Sequence, residues 1–157
     1  MPFDRLVQVV DDWAEMDGRD DVLAQIGSSE YRPRHVRFKS FLRPREFREM
    51  LERSDRIVAH AGMGTILQAL ECGKIPLVFP RRAALGETRS DHQVATARRF
   101  RSAGLVRAAL DEVELCRELS GMGEWQAVGR VGPHAPDRLV SRIRQATFGD
   151  DVPLAGS

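Results

Sequence analysis

Hydrophobic and polar positions follow two rhythms along this chain, and the rhythms take turns. In PFDRLVQVVDDWAEM, Phe3, Leu6, Val7, Val10 and Trp13–Ala14 recur at helical spacing, which predicts an amphipathic helix. DVLAQIG is a short apolar run closed by Gly27, and HVRFKSF alternates Val36, Phe38 and, less cleanly, Phe41; both predict strands. Pro44 suits the first turn of a helix reaching Arg53. RIVAH predicts a strand, TILQALECG a helix ended by Gly73, and IPLVFP another strand. After the loop RRAALGETRS, DHQVATARRFRSAG predicts a helix stopped by Gly104, and LVRAAL a last strand. Two more helices are expected near Asp111–Leu119 and Pro136–Thr147, the latter with Leu139, Ile143 and Ala146 inward. The stretch Gly121–Gly132 and the tail after Gly149 carry no such pattern.

Repeated strand–helix units of this length imply an α/β fold: an open, mostly parallel sheet with helices on both faces, because parallel strands need crossover connections. One domain is expected over residues 1–148, with residues 149–157 as a flexible tail. Ligands of such sheets bind beyond the carboxyl ends of the strands, where the strand order reverses. Two loops therefore matter most, the one after Ala59 and the one after Pro80.

Composition narrows the class without naming a chemistry. A chain of 157 residues is one domain by length, and 42% apolar with 30% charged residues is ordinary for a globular protein. A formal charge of +1 gives no global attraction to nucleic acid or membrane. Locally, Arg32, Arg34, Arg37, Lys39, Arg43 and Arg45 follow one another with no acid among them, a solvated surface or a face for an anionic bilayer or partner. Cys72 and Cys116 lack metal-ligand spacing and read as free buried thiols of a reducing compartment. No secretory segment opens the chain, and no apolar run approaches the length of a bilayer span.

The loop after RIVAH reads Ala61-Gly62-Met63-Gly64-Thr65 and turns helical. A helix start offers unpaired N–H groups and a partial positive charge, an anion site in waiting. Gly62 and Gly64 leave room for a diphosphate to approach the backbone, Thr65 adds a hydroxyl, and His60 stands at the strand end. Against this, Thr65 and Gln68 form T-x-x-Q, a capping box that would close the helix end on itself. The stretch is not a P-loop, and Leu67 stands where a dinucleotide fingerprint needs its third small residue. The second loop brings Arg81 and Arg82 out of a strand end, then Glu87, Asp91, His92 and Gln93 around a helix start. Arginine suits a phosphate, and carboxylates and amides suit sugar hydroxyls. Here too a bland alternative exists, since Ser90-x-x-Gln93 is a second capping box and Asp91 favours a helix dipole.

HAGMGTI, then PR, GE and DHQ, together resemble the C-terminal domain of glycosyltransferase family 28, over roughly residues 2 to 105. More narrowly they are similar to its single-domain bacterial members of exopolysaccharide synthesis and to the donor-binding subunit of the dolichol-linked GlcNAc transferase. The resemblance implies a Rossmann-like fold, the C-terminal half of a GT-B enzyme, that holds a UDP-sugar as substrate and needs no cofactor or metal. It implies that Gly62, Met63, Gly64 and Thr65, with Ala61 and His60 close by, line the diphosphate, with Arg81 beside them. Asp91, His92 and Gln93, with Glu87, would face the donor sugar, and Phe41 and Leu42 would pack near the uracil.

By the same resemblance, the acceptor and catalytic base come from a separate, membrane-associated acceptor-binding subunit with a polyprenyl-linked acceptor. The protein would be cytoplasmic, peripheral at the inner face of the plasma membrane through that partner, with no nucleic acid involved. No catalytic residue is assigned in this chain. Family members open with a strand and a Gly-Thr loop ahead of PFDRL, whereas this chain opens at Met1-Pro2-Phe3, so either the start lies further upstream or that strand is missing. Gln68 replaces the glutamate that many relatives place near the ribose, and Thr88 replaces the histidine of G-E-H. Two rival readings follow: a non-catalytic enhancer of a transferase chain that has lost nucleotide binding, and a nucleotide-binding regulatory module unrelated to sugars.

Overall fold

The computed structural model describes residues 1–121 together with Ser141, Ile143 and Gln145. In chain order the elements are α1 (Asp4–Met16), β1 (Leu23–Gln25), β2 (Arg37–Lys39), α2 (Pro44–Arg53), β3 (Val58–His60), α3 (Met63–Glu71), β4 (Leu77–Phe79), a 3-10 turn (Ala83–Leu85), α4 (His92–Ser102), β5 (Arg107–Ala108) and α5 (Glu112–Ser120). This is the expected α/β alternation. The expected irregular stretch, the tail and most of the last helix lie outside the described residues; Ser141, Ile143 and Gln145 are helical. All strands pair in parallel, in two ladders: β1 with β2, and β3–β4–β5 with β4 in the middle.

The central strand explains the layering. Leu77, Val78 and Phe79 are all fully buried, and successive side chains of a strand point to opposite faces. Leu77 and Phe79 pack with Phe3, Trp13 and Ala14 of the first helical layer and with Leu115 and Leu119 of α5. Val78 packs on the other side with Ile66 and Leu70 of α3 and Ala97 and Phe100 of α4, where Ile143 also joins. The β1–β2 ladder belongs to the first of these cores through Ala24 and Val36. A third cluster, Leu51, Ile57 and Ala69, docks α2 against α3. Gly73 and Gly104 end α3 and α4 as expected, each with a positive φ that a Cβ would strain.

β1 and β2 are parallel, yet no helix joins them; an acidic residue organises the crossover instead. Asp11, on the inner stripe of α1 and 1% exposed, accepts from the backbone N–H groups of Arg34, His35 and Val36 at 2.8–3.1 Å and from the Tyr31 hydroxyl at 2.7 Å. Burial pushes its carboxyl up, but those donors outweigh it and hold the pKa below the ordinary value. The Tyr31 hydroxyl, bonded to Asp11, is raised to about 12.

Several sequence expectations change here. β2 is exposed at all three positions, so Phe38 lies 39% exposed rather than in the core, and only Val36 of that alternation is buried. Phe41 is 73% exposed. Cys72 and Cys116 are free, as expected, but half-buried rather than buried. The basic run is partly neutralised across its own surface: Lys39 meets Glu46 at 3.5 Å and Arg45 meets Glu49 at 2.8 Å, exposed pairs that add little stability.

Candidate functional site

β3 and β4 run side by side with His60 opposite Phe79, so their two following loops leave the same edge of the sheet. After β3 the chain turns tightly, Gly62 N–H donating to His60 O at 2.8 Å. α3 then begins at Met63 with extended Gly62 as its N-cap and no side-chain cap. Its first internal bond runs from Ile66 N–H to Gly62 O. The amides of Met63, Gly64 and Thr65 precede that bond and are left without a helical acceptor. The T-x-x-Q capping box therefore does not form: the helix starts two residues earlier than expected, and Thr65 is its third residue. Gln68 is exposed on the same helix, and Ala61 is buried beneath the turn.

The two glycines serve different ends. A Cβ on Gly62 would lie 2.1 Å from His60 Cε1, so this residue must be bare for the imidazole to fold over the turn. A Cβ on Gly64 would meet nothing within 4 Å. The first turn of α3 is therefore open at Gly64.

Two polar atoms next to this turn are buried without a partner: His60 Nδ1 and Arg81 Nε. Burial, and then the Arg81 charge, hold the His60 imidazole below its ordinary pKa, so it is neutral at pH 7. Burial also lowers the Arg81 guanidinium, although the nearby Glu87 charge opposes this, and arginine stays cationic. Arg81 lies over the Phe3 ring, 5.2 Å from its centroid. No ion pair joins Arg81 to a carboxylate among the described residues.

The loop after β4 is built the opposite way. Its polar side chains bond to its own backbone: Gln93 Oε1 accepts from Arg81 N–H at 3.1 Å, Asp91 Oδ1 from Ala83 N–H at 2.8 Å, and Glu87 Oε2 from Arg82 N–H at 2.9 Å. The second capping box is likewise absent. Asp91 is the N-cap of α4 without a side-chain cap, Gln93 reaches across to Arg81, and Ser90 Oγ pairs with His92 Nδ1 at 2.8 Å. His92 and Asp91 are exposed and Gln93 is buried.

Sequence reasoning overlooked Arg5. Its guanidinium grips both Glu87 oxygens at 2.8 Å, donates to Pro80 O at 3.0 Å, and stacks 4.1 Å from the Phe79 ring centroid. Burial disfavours the Glu87 anion, but the Arg5 and Arg82 hydrogen bonds overcome this and lower its pKa. Arg5 lies off the apolar stripe of α1, so nothing in the local pattern marked it.

The structure brings His60, Gly62, Met63, Gly64, Thr65 and Arg81 together at the open edge. Phe41 and Leu42 follow β2, in the other ladder. Leu42 N–H donates to Gln25 Oε1 at 3.1 Å, and no hydrogen bond among the described residues links this pair to the His60 loop. Among the described residues no cluster of three His, Cys, Asp or Glu gathers to hold a metal ion, and no helix is long and apolar enough to cross a membrane.

No curated protein matches the chain. Among solved structures, the crystal structure of the glycotransferase of kitacinnamycin is similar at 21% identity with a TM-score of 0.54, over 89% of this chain and 34% of that one. The likeness is one of fold, the Rossmann-like C-terminal half of a GT-B protein, and the chain spans about a third of that relative's length. With the family model of the glycosyltransferase family 28 C-terminal domain matching residues 2–122, the chain belongs to that family.

Proposed function

We propose that this chain is the donor-binding subunit of a hexosyl or N-acetylhexosaminyl transferase that holds a UDP-sugar for transfer to a lipid-linked or polysaccharide acceptor. The observation that carries the reading is the bare edge between β3 and β4. The first three amides of α3 have no helical acceptor, and His60 Nδ1 and Arg81 Nε, from the ends of the two neighbouring strands, have no hydrogen-bond partner. A pyrophosphate supplies the missing acceptors and the missing negative charge.

In the reaction, an acceptor hydroxyl attacks the anomeric carbon as the bond to the diphosphate oxygen breaks, with inversion, and UDP departs with the electron pair. Charge grows on the leaving diphosphate, where Arg81 and the start of α3 stand ready without reorganising. The hydroxyl proton goes to a base on a partner chain, no base being assigned among the described residues. An acceptor-binding, membrane-associated partner chain supplies that base and the polyprenyl-linked acceptor. Phe41, exposed after β2, offers an aromatic face to the uracil, and His92 and Asp91 offer polar groups to the sugar.

Isothermal titration with UDP tests this. Wild type binds, and Arg81→Gln weakens binding about 10- to 100-fold, the worth of one charge-assisted contact. No heat with UDP overturns the reading in favour of a ligand-free enhancer, and a preference for adenine nucleotides favours a regulatory module.

A further inference from the structure

Arg5 lies on α1, yet it bonds at the far end of the second loop. Its Nε and Nη2 hold the two Glu87 oxygens, its Nη2 also reaches Pro80 O, and its Nη1 reaches Glu112 at 3.3 Å. Both partners of the fork are shielded, with side chains 14% and 11% exposed. The backbone of Arg82 takes the remaining reach of Glu87 Oε2. Glu87 is close enough for its charge and that of Arg81 to act on each other, yet the two form no ion pair.

That arrangement is selective. A half-buried carboxylate beside two arginines would satisfy either, and the geometry gives it wholly to Arg5. The Arg81 Nε is left without a hydrogen-bond partner, as is the His60 Nδ1. We propose that Arg5 is a positioning residue for the donor site. By sequestering Glu87 in a two-point grip it keeps Arg81 un-neutralised and pointed at the diphosphate position. Without Arg5, the Glu87 carboxylate turns to the cation whose field it already feels, and the site loses the charge meant for its ligand. The inference deepens the donor-site reading and rests on it.

The anchors of the grip support this division. The Arg5 guanidinium lies 4.1 Å from the ring centroid of Phe79, the last residue of β4, and 5.5 Å from that of Phe3, while Arg81 lies 5.2 Å from Phe3; the two rings stack at 5.8 Å. The closer contact, to Phe79, is made by Arg5 alone among the two arginines and holds its guanidinium beside Glu87. Among the described residues no hydrogen bond, ion pair or ring contact joins Arg5 to the β3 loop or to the start of α3, so its influence on the ligand passes through Glu87.

Four proteins decide it: wild type, Arg5→Gln, Glu87→Gln and the double variant. Two readouts are followed, UDP affinity by calorimetry and the His60 titration by NMR of its ring proton. In Arg5→Gln, UDP affinity falls about tenfold, and His60 titrates about half a pH unit higher because Glu87 cancels the Arg81 charge that depresses it. In the double variant both readouts return to those of Glu87→Gln. A merely structural role for Arg5 would leave the double variant as weak as Arg5→Gln, which overturns the proposal, as does a folded Arg5→Gln with both readouts unchanged. If Arg5→Gln does not fold, the double variant against Glu87→Gln decides: equal affinity and His60 titration support the proposal, a weaker double variant refutes it. Wild type failing to bind UDP would sink the donor-site reading, while the His60 titration would still judge the Arg5 grip separately.

Discussion

The two loops that leave the same end of the sheet follow neighbouring strands and each opens into a helix, one a two-residue turn of Ala61 and Gly62, the other a longer polar run from Pro80 to Asp91. They are used in opposite ways. The loop after β3 keeps its donors bare: α3 starts on a glycine, has no side-chain cap, and leaves an imidazole nitrogen buried without a partner. The loop after β4 consumes its own polar groups, with Glu87, Asp91 and Gln93 each accepting from a backbone N–H of the strand exit. Satisfied polar groups make scaffold, and unsatisfied ones wait for a ligand, because a buried group without a partner costs about 1–3 kcal/mol until something bonds to it. In the proposed reading the first loop is the cradle and the second the frame that presents Arg81 to it.

The comparison breaks most sharply at Gly64. A side chain there clashes with nothing in the protein, since a Cβ would find open space. Gly64→Leu therefore folds with unchanged or slightly raised thermal stability, as replacing a helical glycine normally gives. It fills the space above the first turn, and UDP affinity falls more than about tenfold. Calorimetry with a melting curve on the same sample checks both halves. A melting point that drops along with affinity would mean that the turn is packed, not open.

How much of this was readable beforehand differs between the same two loops. The strands and helices were legible: LVF at 77–79 is an unbroken apolar run and became the fully buried central strand, and Gly73 and Gly104 ended their helices. The small-residue turn after RIVAH was legible as the start of a helix with uncapped amides, because glycine spacing and a helix start are local features. The capping boxes were misleading for the same reason. T-x-x-Q and S-x-x-Q have the right spacing, but Gly62 and Asp91 take the N-cap positions, and Gln93 finds a better donor in Arg81 N–H. Glu87 could be read as polar and near the site, not as held by Arg5, whose position is 82 residues away. Asp11 is parallel: its place on the Val7–Ala14 stripe was visible, its donors at 34–36 were not. Long-range partners of buried charges are the part a single sequence hides.

If the second loop is frame, its charges should matter to folding more than to ligand. The Glu87 carboxyl has a pKa below its ordinary value in the folded protein. A group depressed in this way adds stability that is present above its unfolded pKa, about 4.3, and is lost as pH falls through the lower folded value. Glu87→Gln should cost about 1–3 kcal/mol at pH 7, the range for a shielded charge-assisted pair, while UDP affinity stays near that of wild type. The wild-type advantage should then shrink through the region below pH 5, which urea midpoints against pH will trace. A variant that keeps its midpoint and loses UDP would reverse the assignment and make Glu87 a ligand contact.

The smallest effect falls on the cradle side, at His60. Its pKa is lowered in the free protein, first by burial and then by the Arg81 charge. The neutral imidazole contributes stability above its unfolded pKa, near 6.5, that is lost as pH falls towards the lower folded value. A bound diphosphate reverses the local field: it cancels the Arg81 charge and sets an anion beside the ring, which favours the imidazolium. The His60 pKa must therefore rise on binding, and between the free and bound values the complex takes up a proton. Affinity should increase a few-fold as pH falls from 8 towards 6, by about the ratio that a shift of half a pH unit gives. UDP itself gains a proton near pH 6, with the opposite influence on binding, so the difference between wild type and His60→Gln is the quantity to read. Calorimetry in two buffers of unlike ionisation heat counts the proton directly. Equal proton counts for the two proteins would remove His60 from the cradle and leave Arg81 and the α3 amides to hold the diphosphate alone.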